Sequence, residues 1–340
     1  MASFVDVLRG EHRESRHHVS LAVARADGSL LATSGDPETV AFWRSCAKPF
    51  QAIPSMTLGA RAAFAFGDDA LALQCASHNG EARHVELARR MLGASGLTAD
   101  DLVCGPHASL NDDVAKAMAR NGEAPTRLHN NCSGKHAGML ALARHQHWNT
   151  SGYARADHQV QQACLEEVAR WAGLPKDSVP HATDGCGVPS FALPLRRMAL
   201  AYARLGAAAE GDGADGIASD VRAAGASVVA AMRKHPFLVA GTARLDTELI
   251  EATAGRVVSK VGAEGVYCAA IPELRLGLAL KVEDGATRAL GPALLGLLEE
   301  LAPGTVPGLE QHRSPRITNT LGEAVGRIVP RMALQRDATK

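Results

Sequence analysis

Apolar and small residues alternate through Val19-Ser20-Leu21-Ala22-Val23-Ala24, and Leu30-Leu31-Ala32 resumes the run after Asp27-Gly28. Alternation of period two marks a strand, and Asp-Gly between two such runs predicts a hairpin because both residues tolerate positive φ. Val40-Ala41-Phe42-Trp43 reads as a further extended piece that delivers Arg44 and Ser45 to the next element. From Pro49 to about residue 233 the spacing becomes helical, most clearly over 81–92, 136–144, 159–172, 195–205 and 218–233. Pro106, Pro125, Pro175 and Pro180 fall between these segments. The Ala/Gly/Asp-rich stretch 206–216 predicts an exposed loop. Strand character returns at 256–262, 266–271 and 276–282, followed by a helix over 286–301 and a last strand at 326–329. This order predicts an α/β (α+β) chain, an antiparallel sheet closed by both ends with a helical lobe inserted. Residues 1–45 and 235–340 form the sheet part and 46–234 the mainly helical part of one composite unit, 1–340. A ligand cleft is expected between the two parts.

Composition narrows the classes of function. The 340 residues are 46% hydrophobic and 21% charged, with 36 basic and 36 acidic side chains and a formal net charge of zero. That balance argues against nucleic acid or a membrane surface as partner, since both rest on clustered positive charge. The first ten residues lack the apolar core of a secretory signal, and no apolar run reaches membrane-spanning length. Seven cysteines, scattered and without a Cys-x-x-Cys pair, point to reduced thiols and a cytoplasmic location.

Three short patterns carry chemistry. Ser45-x-x-Lys48 places a hydroxyl and an amine three residues apart, and a lysine kept neutral can take the serine's proton. Pro49 disfavours helical geometry at Lys48, so 45–48 is expected as a tight entry turn with the helix proper beginning near Pro49. Ser77-His78-Asn79 and the strand-borne Lys260-Val261-Gly262 follow. The order Ser-x-x-Lys, Ser-x-Asn, Lys-x-Gly is that of enzymes forming acyl-serine intermediates. In the bland alternatives, Ser77 caps a helix near Glu81, Lys260 is a solvated strand residue, and Asp246 caps a helix beginning near Thr247. The run His129 to His136 contains Gly134-Lys135 but lacks the earlier glycine and the Ser or Thr of a phosphate loop. Cys132 and Cys186, the latter in a glycine-rich turn with Asp184, are either buried core thiols or two zinc ligands awaiting a nitrogen. His17-His18 and His145-x-His147 read as surface.

Taken together, Arg44-Ser45-Cys46-Ala47-Lys48-Pro49, Cys75-Ala76-Ser77-His78, Asn131-Cys132-Ser133-Gly134-Lys135-His136-Ala137-Gly138, Thr183-Asp184-Gly185-Cys186 and Ser259-Lys260-Val261-Gly262 resemble the rhizobial-type (class 3) bacterial L-asparaginases, the asparaginase II family. His235-Pro236 and Lys281-Val282-Glu283-Asp284-Gly285 match as well. The resemblance implies a fold similar to serine β-lactamases, penicillin-binding proteins and one class of glutaminases, in a homodimer. It implies two Ser–Lys tandems, Ser45–Lys48 and Ser77–Lys260, with Ser45 the nucleophile. It also implies zinc on Cys132, Lys135 and Cys186, and L-asparagine held by Asp184, His136 and Arg44. Asn79 and Gly80 stand where some members carry serines, and Asp246 where a rhizobial member carries cysteine. The expected activity is hydrolysis of L-asparagine to L-aspartate and ammonia. The alternatives are a glutaminase or other serine–lysine amidohydrolase, a penicillin-recognising enzyme, and a zinc-bearing amino-acid sensor without turnover.

Overall fold

A computed structural model describes residues 2–212 and 216–336. The chain divides into two compact units: Met1–Cys46, Leu193–Ala207 and Glu248–Lys340 in one, Ala47–Ala192 and Ala208–Thr247 in the other. The mixed helix and antiparallel-sheet class expected from the sequence is present. Among the described residues no helix is long and apolar enough to cross a membrane.

The first unit is built on a nine-stranded antiparallel sheet. Its main path runs Arg316–Thr318, Ala324–Arg331, Ser3–Arg9, His12–Arg25, Leu276–Val282, Val266–Ile271, Val258–Val261. The strand His12–Arg25 is long enough to serve three neighbours. Its first half pairs with Ser3–Arg9, its second half with Leu30–Ser34 across the expected Asp27-Gly28 turn, and its other edge with Leu276–Val282. The strand Ala324–Arg331 lies against Ser3–Arg9, so residues from both ends of the sequence share the sheet. The helix Leu195–Ala209 crosses Leu276–Val282 at Gly277, where a Cβ would overlap Ala199 O and Ala203 N. Backbone meets backbone there. The helix Leu290–Leu301 buries its apolar side on the strands Ala324–Arg331 and Ser3–Arg9.

Several expectations need correction. The strand Ser3–Arg9 was not among the expected elements; Asp6 is buried in the sheet because Arg16 on the paired strand chelates it through Nε (2.6 Å) and Nη2 (3.0 Å). The segment 206–209 is helical rather than loop, and 213–215 of that expected loop lie outside the described residues. His17 is buried, not surface: its Nδ1–H donates to Asp284 (2.6 Å) while Nε2 accepts from Arg288 Nε (3.0 Å). Asp246 lies inside the helix Leu245–Ala252 rather than capping it, and it is buried.

The Asp6–Arg16 pair yields a prediction. The hydrogen bond from Arg16 holds the Asp6 carboxyl below the usual range. A depressed carboxylate stabilises the fold above its unfolded pKa, about 3.9, and that contribution is lost as pH falls through the folded value. Asp6→Asn is therefore expected to destabilise by about 1–2 kcal/mol at pH 7, and the gap should close toward pH ~3. Urea unfolding at both pH values checks this, and an equal gap at the two would refute it.

The second unit is helical. Its centre is the helix Ser133–His145, buried from Ser133 through Ala143. Small residues let it approach its neighbours: a Cβ on Gly134 would overlap Leu73 O in the helix Asp68–Gln74, and one on Gly138 would overlap the Gln74 side chain. Around it lie Lys48–Ala52, Ala82–Ala94 and Gln159–Ala172, and Ser219–Lys234 packs against Asp68–Gln74. Gln159–Ala172 ends on Gly173 in the left-handed region (φ 64°), the stop signal that its sequence carried. A short ribbon pairs His181 with Phe191 and Thr183 with Pro189.

Candidate active site

In the first unit, Arg44 and Ser45 stand in a 3₁₀ turn, Arg44–Ala47, between two buried anchors. Trp43 donates its indole N–H to Cys268 Sγ (3.3 Å) and stacks edge-on against Tyr202, whose hydroxyl donates to Cys46 O (2.8 Å). Cys46 Sγ donates to Lys260 O (2.9 Å) on the strand Val258–Val261. A side chain at Gly262 would press on Cys46 Sγ and Trp43 O, so glycine is what allows this turn to lie on the strand. With Trp43 and Cys46 locked, Arg44 and Ser45 are left half-buried, and Arg44 takes φ 51°, a conformation unusual outside glycine. The turn is thus held in an unusual backbone shape that presents Ser45 beside the Lys260 strand. Lys260 is itself fully buried, and its Nζ donates to Val261 O (3.0 Å), which removes the solvated-strand reading.

In the second unit, Lys48 opens the helix Lys48–Ala52 with Pro49 behind it, as the entry-turn expectation required. Lys48 is fully buried; its Nζ donates to Ser77 Oγ (3.0 Å) and to Ala76 O. Ser77 is no helix cap. Glu81 caps Ala82–Ala94 in reciprocal contact with His84. Ser77 is instead fixed by its flanks: its N–H donates to Val239 O (3.0 Å), that of His78 to Asn131 O (3.2 Å), and that of Asn79 to Ala240 O (2.8 Å). His78 Nδ1 accepts from Gly80 N (3.0 Å), so Nε2–H donates to Ser133 Oγ (3.0 Å). The His78 ring stacks on His84, and His84 on Phe237. Burial, then the neighbouring His84, Lys48 and Arg244 charges, hold His78 well below the usual imidazole range.

The thiol cluster lies in the same unit. The turn Asp184–Gly187 is closed by Gly187 N to Asp184 O (2.9 Å), with Gly187 at φ 93°, where a side chain would be strained. It presents half-buried Asp184 and buried Cys186 side by side. Cys186 Sγ accepts from Lys135 Nζ (3.3 Å) and Cys132 Sγ donates to Asn131 Oδ1 (3.1 Å), while the proximity of the two thiols holds Cys186 low and Cys132 high. A cation in the first turn of a helix opposes the helix dipole. Burial also pulls the Lys135 amine down, but Cys186, Cys132 and Asp184 together leave it above its usual value. His136 is fully buried, and Lys135, Cys132, Lys48 and Asp184 all act on its charge.

Cys132, Lys135 and Cys186 therefore meet, as the zinc expectation requires. The two thiols lie close enough to act on each other and the amine touches one of them, so the donor set fits a tetrahedral ion with one open position once the amine and the thiols shed their protons. Among the described residues no group of three His, Cys, Asp or Glu side chains is arranged to hold a metal, so a site depends on Lys135 as the third donor.

The structure thus places Arg44, Ser45 and Lys260 in one unit and Lys48, Ser77, Cys132, Lys135, His136, Asp184 and Cys186 in the other. Sequence reasoning missed Tyr153, which hydrogen-bonds His136 from a loop that carries no motif, and the anchoring roles of Trp43 and Tyr202.

Comparison with known proteins identifies the chain as an amidohydrolase. The chain belongs to the L-asparaginase II family, whose model matches residues 5–330, nearly its whole length. No curated protein matches the sequence. Similar solved structures include Mglu in its glutamate form, with TM-score 0.47 and 14% identity over 85% of this chain and 62% of that one. They also include a beta-lactamase from Mycobacterium bovis, with TM-score 0.41 and 15% identity over 83% of this chain and 94% of that one. The chain thus spans less than two thirds of the length of that Mglu structure.

Proposed function

We propose that the protein is an L-asparaginase that hydrolyses L-asparagine to L-aspartate and ammonia through an acyl-Ser45 intermediate. The observation that carries the reading is the buried Lys48 amine bonded to the Ser77 hydroxyl at 3.0 Å, in a chain of the L-asparaginase II family. Ser45 Oγ attacks the side-chain amide carbon as Lys48, three residues on, takes its proton. The proton passes to the departing nitrogen, ammonia leaves, and water then cleaves the aspartyl ester. Ser77 stands next to Lys48 in this scheme as the relay, and Lys260 contributes positive charge near the nucleophile turn. Backbone N–H groups, including that of Ser45, would receive the oxyanion.

Arg44, His136 and Asp184 are assigned to the amino-acid end of the substrate. Cys132, Lys135 and Cys186 would hold zinc, which supplies a fixed cation beside that end. All seven cysteines are unbridged thiols, which supports a reducing, cytoplasmic setting, and the assembly is taken as a homodimer.

The test is ammonia release from L-asparagine, L-glutamine and a chromogenic β-lactam, before and after chelation, with zinc counted in the purified protein. Turnover of asparagine at least ~10-fold above glutamine in kcat/KM, with about one zinc per chain, is the expected result. Asparagine that raises the melting temperature with no ammonia formed would replace the enzyme by a sensor.

A further inference from the structure

His136 has two ring nitrogens in different circumstances. Nδ1 lies 2.6 Å from the Tyr153 hydroxyl, whereas Nε2 is buried with no hydrogen-bond partner among the described residues. The Tyr153 oxygen already accepts the N–H of Val103 (3.2 Å). Its own proton must go somewhere, and His136 Nδ1 is the acceptor within reach, in an edge-on arrangement of the two rings. Tyr153 is fully buried, and a buried phenol keeps its proton. The hydroxyl is therefore loaded by Val103 and unloads onto Nδ1, which leaves the imidazole proton on Nε2.

We propose that Tyr153 is a positioning residue that fixes His136 in the Nε2–H tautomer, so that this buried donor is kept for an acceptor oxygen of the bound amino-acid substrate. The inference rests on the substrate role assigned above to His136, and it adds the residue that sets the direction of that hydrogen bond. An orphaned donor inside a packed helix is costly, and buried polar groups are otherwise paired. Lys135, Cys132, Lys48 and Asp184 all act electrostatically on the ring. Were the proton on Nδ1 instead, the Tyr153 proton would have no acceptor, and Nε2 could only accept, which a substrate carboxylate or carbonyl cannot use.

The experiment is ¹⁵N-histidine NMR of the full-length protein, with His136 identified by the signals lost in His136→Gln, followed by kinetics of Tyr153→Phe. In the native chain Nδ1 should have the shift of an unprotonated nitrogen and Nε2 that of a protonated one. Tyr153→Phe keeps the ring but not the hydroxyl. It should mix or invert that assignment and raise KM for asparagine about tenfold, with kcat changed by less than about threefold. A native His136 protonated on Nδ1 overturns the proposal without any variant having to fold. So does a Tyr153→Phe chain with native tautomer and native KM. A native chain that makes no ammonia would remove the asparaginase reading while leaving the tautomer result standing.

Discussion

Ser45→Ala is expected to fold as the native chain does and to lose ammonia release from asparagine by at least ~10³-fold in kcat. The fold should survive because the turn is held by its neighbours and not by the Ser45 hydroxyl. Trp43 and Cys46 supply the buried contacts, through Cys268, Tyr202 and the Lys260 carbonyl. Alanine fits a 3₁₀ turn and removes only one oxygen from a half-buried position. The activity should vanish because no other hydroxyl in the proposed scheme is placed to make the ester. Ser77 is already bonded to Lys48 and clamped by three backbone hydrogen bonds around it. Melting curves and an ammonia assay on the same preparation separate the two effects. If Ser45→Ala retained a tenth of native turnover while Ser77→Ala lost it, the roles of the two serines would have to be exchanged.

Gly277→Ala should give the largest loss of stability among conservative substitutions in the sheet. The added methyl would overlap Ala199 O and Ala203 N, which are helix backbone and have no rotamer to escape into. The strand cannot yield either, since Leu276–Val282 is paired along both edges, with His12–Arg25 and with Val266–Ile271. Overpacking of this kind costs about 3 kcal/mol or more when neither side can move. The melting temperature should therefore fall by about 4 °C or more. Gly93→Ala, in the helix Ala82–Ala94 with open space around the site, is the control and should be neutral or slightly stabilising. A Gly277→Ala midpoint within 2 °C of the native one would show that helix and strand separate more easily than their packing indicates.

How far the sequence foretold this arrangement depended on whether a residue's role was local. Gln159–Ala172 was legible end to end because helical spacing and a glycine stop are both written in the segment itself. The entry turn before Lys48 was legible because proline constrains the residue before it. His17 was misread, and the role of Asp6 was not seen, because their partners, the Asp284–Arg288 pair and Arg16, arrive from other strands and loops. Polarity in one strand says nothing of the charge opposite it. At the site, the short motifs marked Ser45, Lys48, Ser77, Lys260, Cys132 and Cys186, since each carries reactive chemistry in its own side chain. Tyr153 was silent because its role is relational: it matters through one proton on His136.

The pairing of Ser3–Arg9 with Ala324–Arg331 also bears on how the chain is made. Phe4 meets Arg331 and Arg9 meets Gly326, so Ser3–Arg9 is synthesised long before its partner on that edge. Until residues 324–331 emerge, Ser3–Arg9 has only His12–Arg25 beside it and presents an open row of N–H and C=O groups. Contacts of such long sequence separation are slow to form, because the whole intervening loop must be closed first. Asp6 and Arg9 on this strand are charges of the kind that discourage an exposed edge from pairing with another chain during that wait.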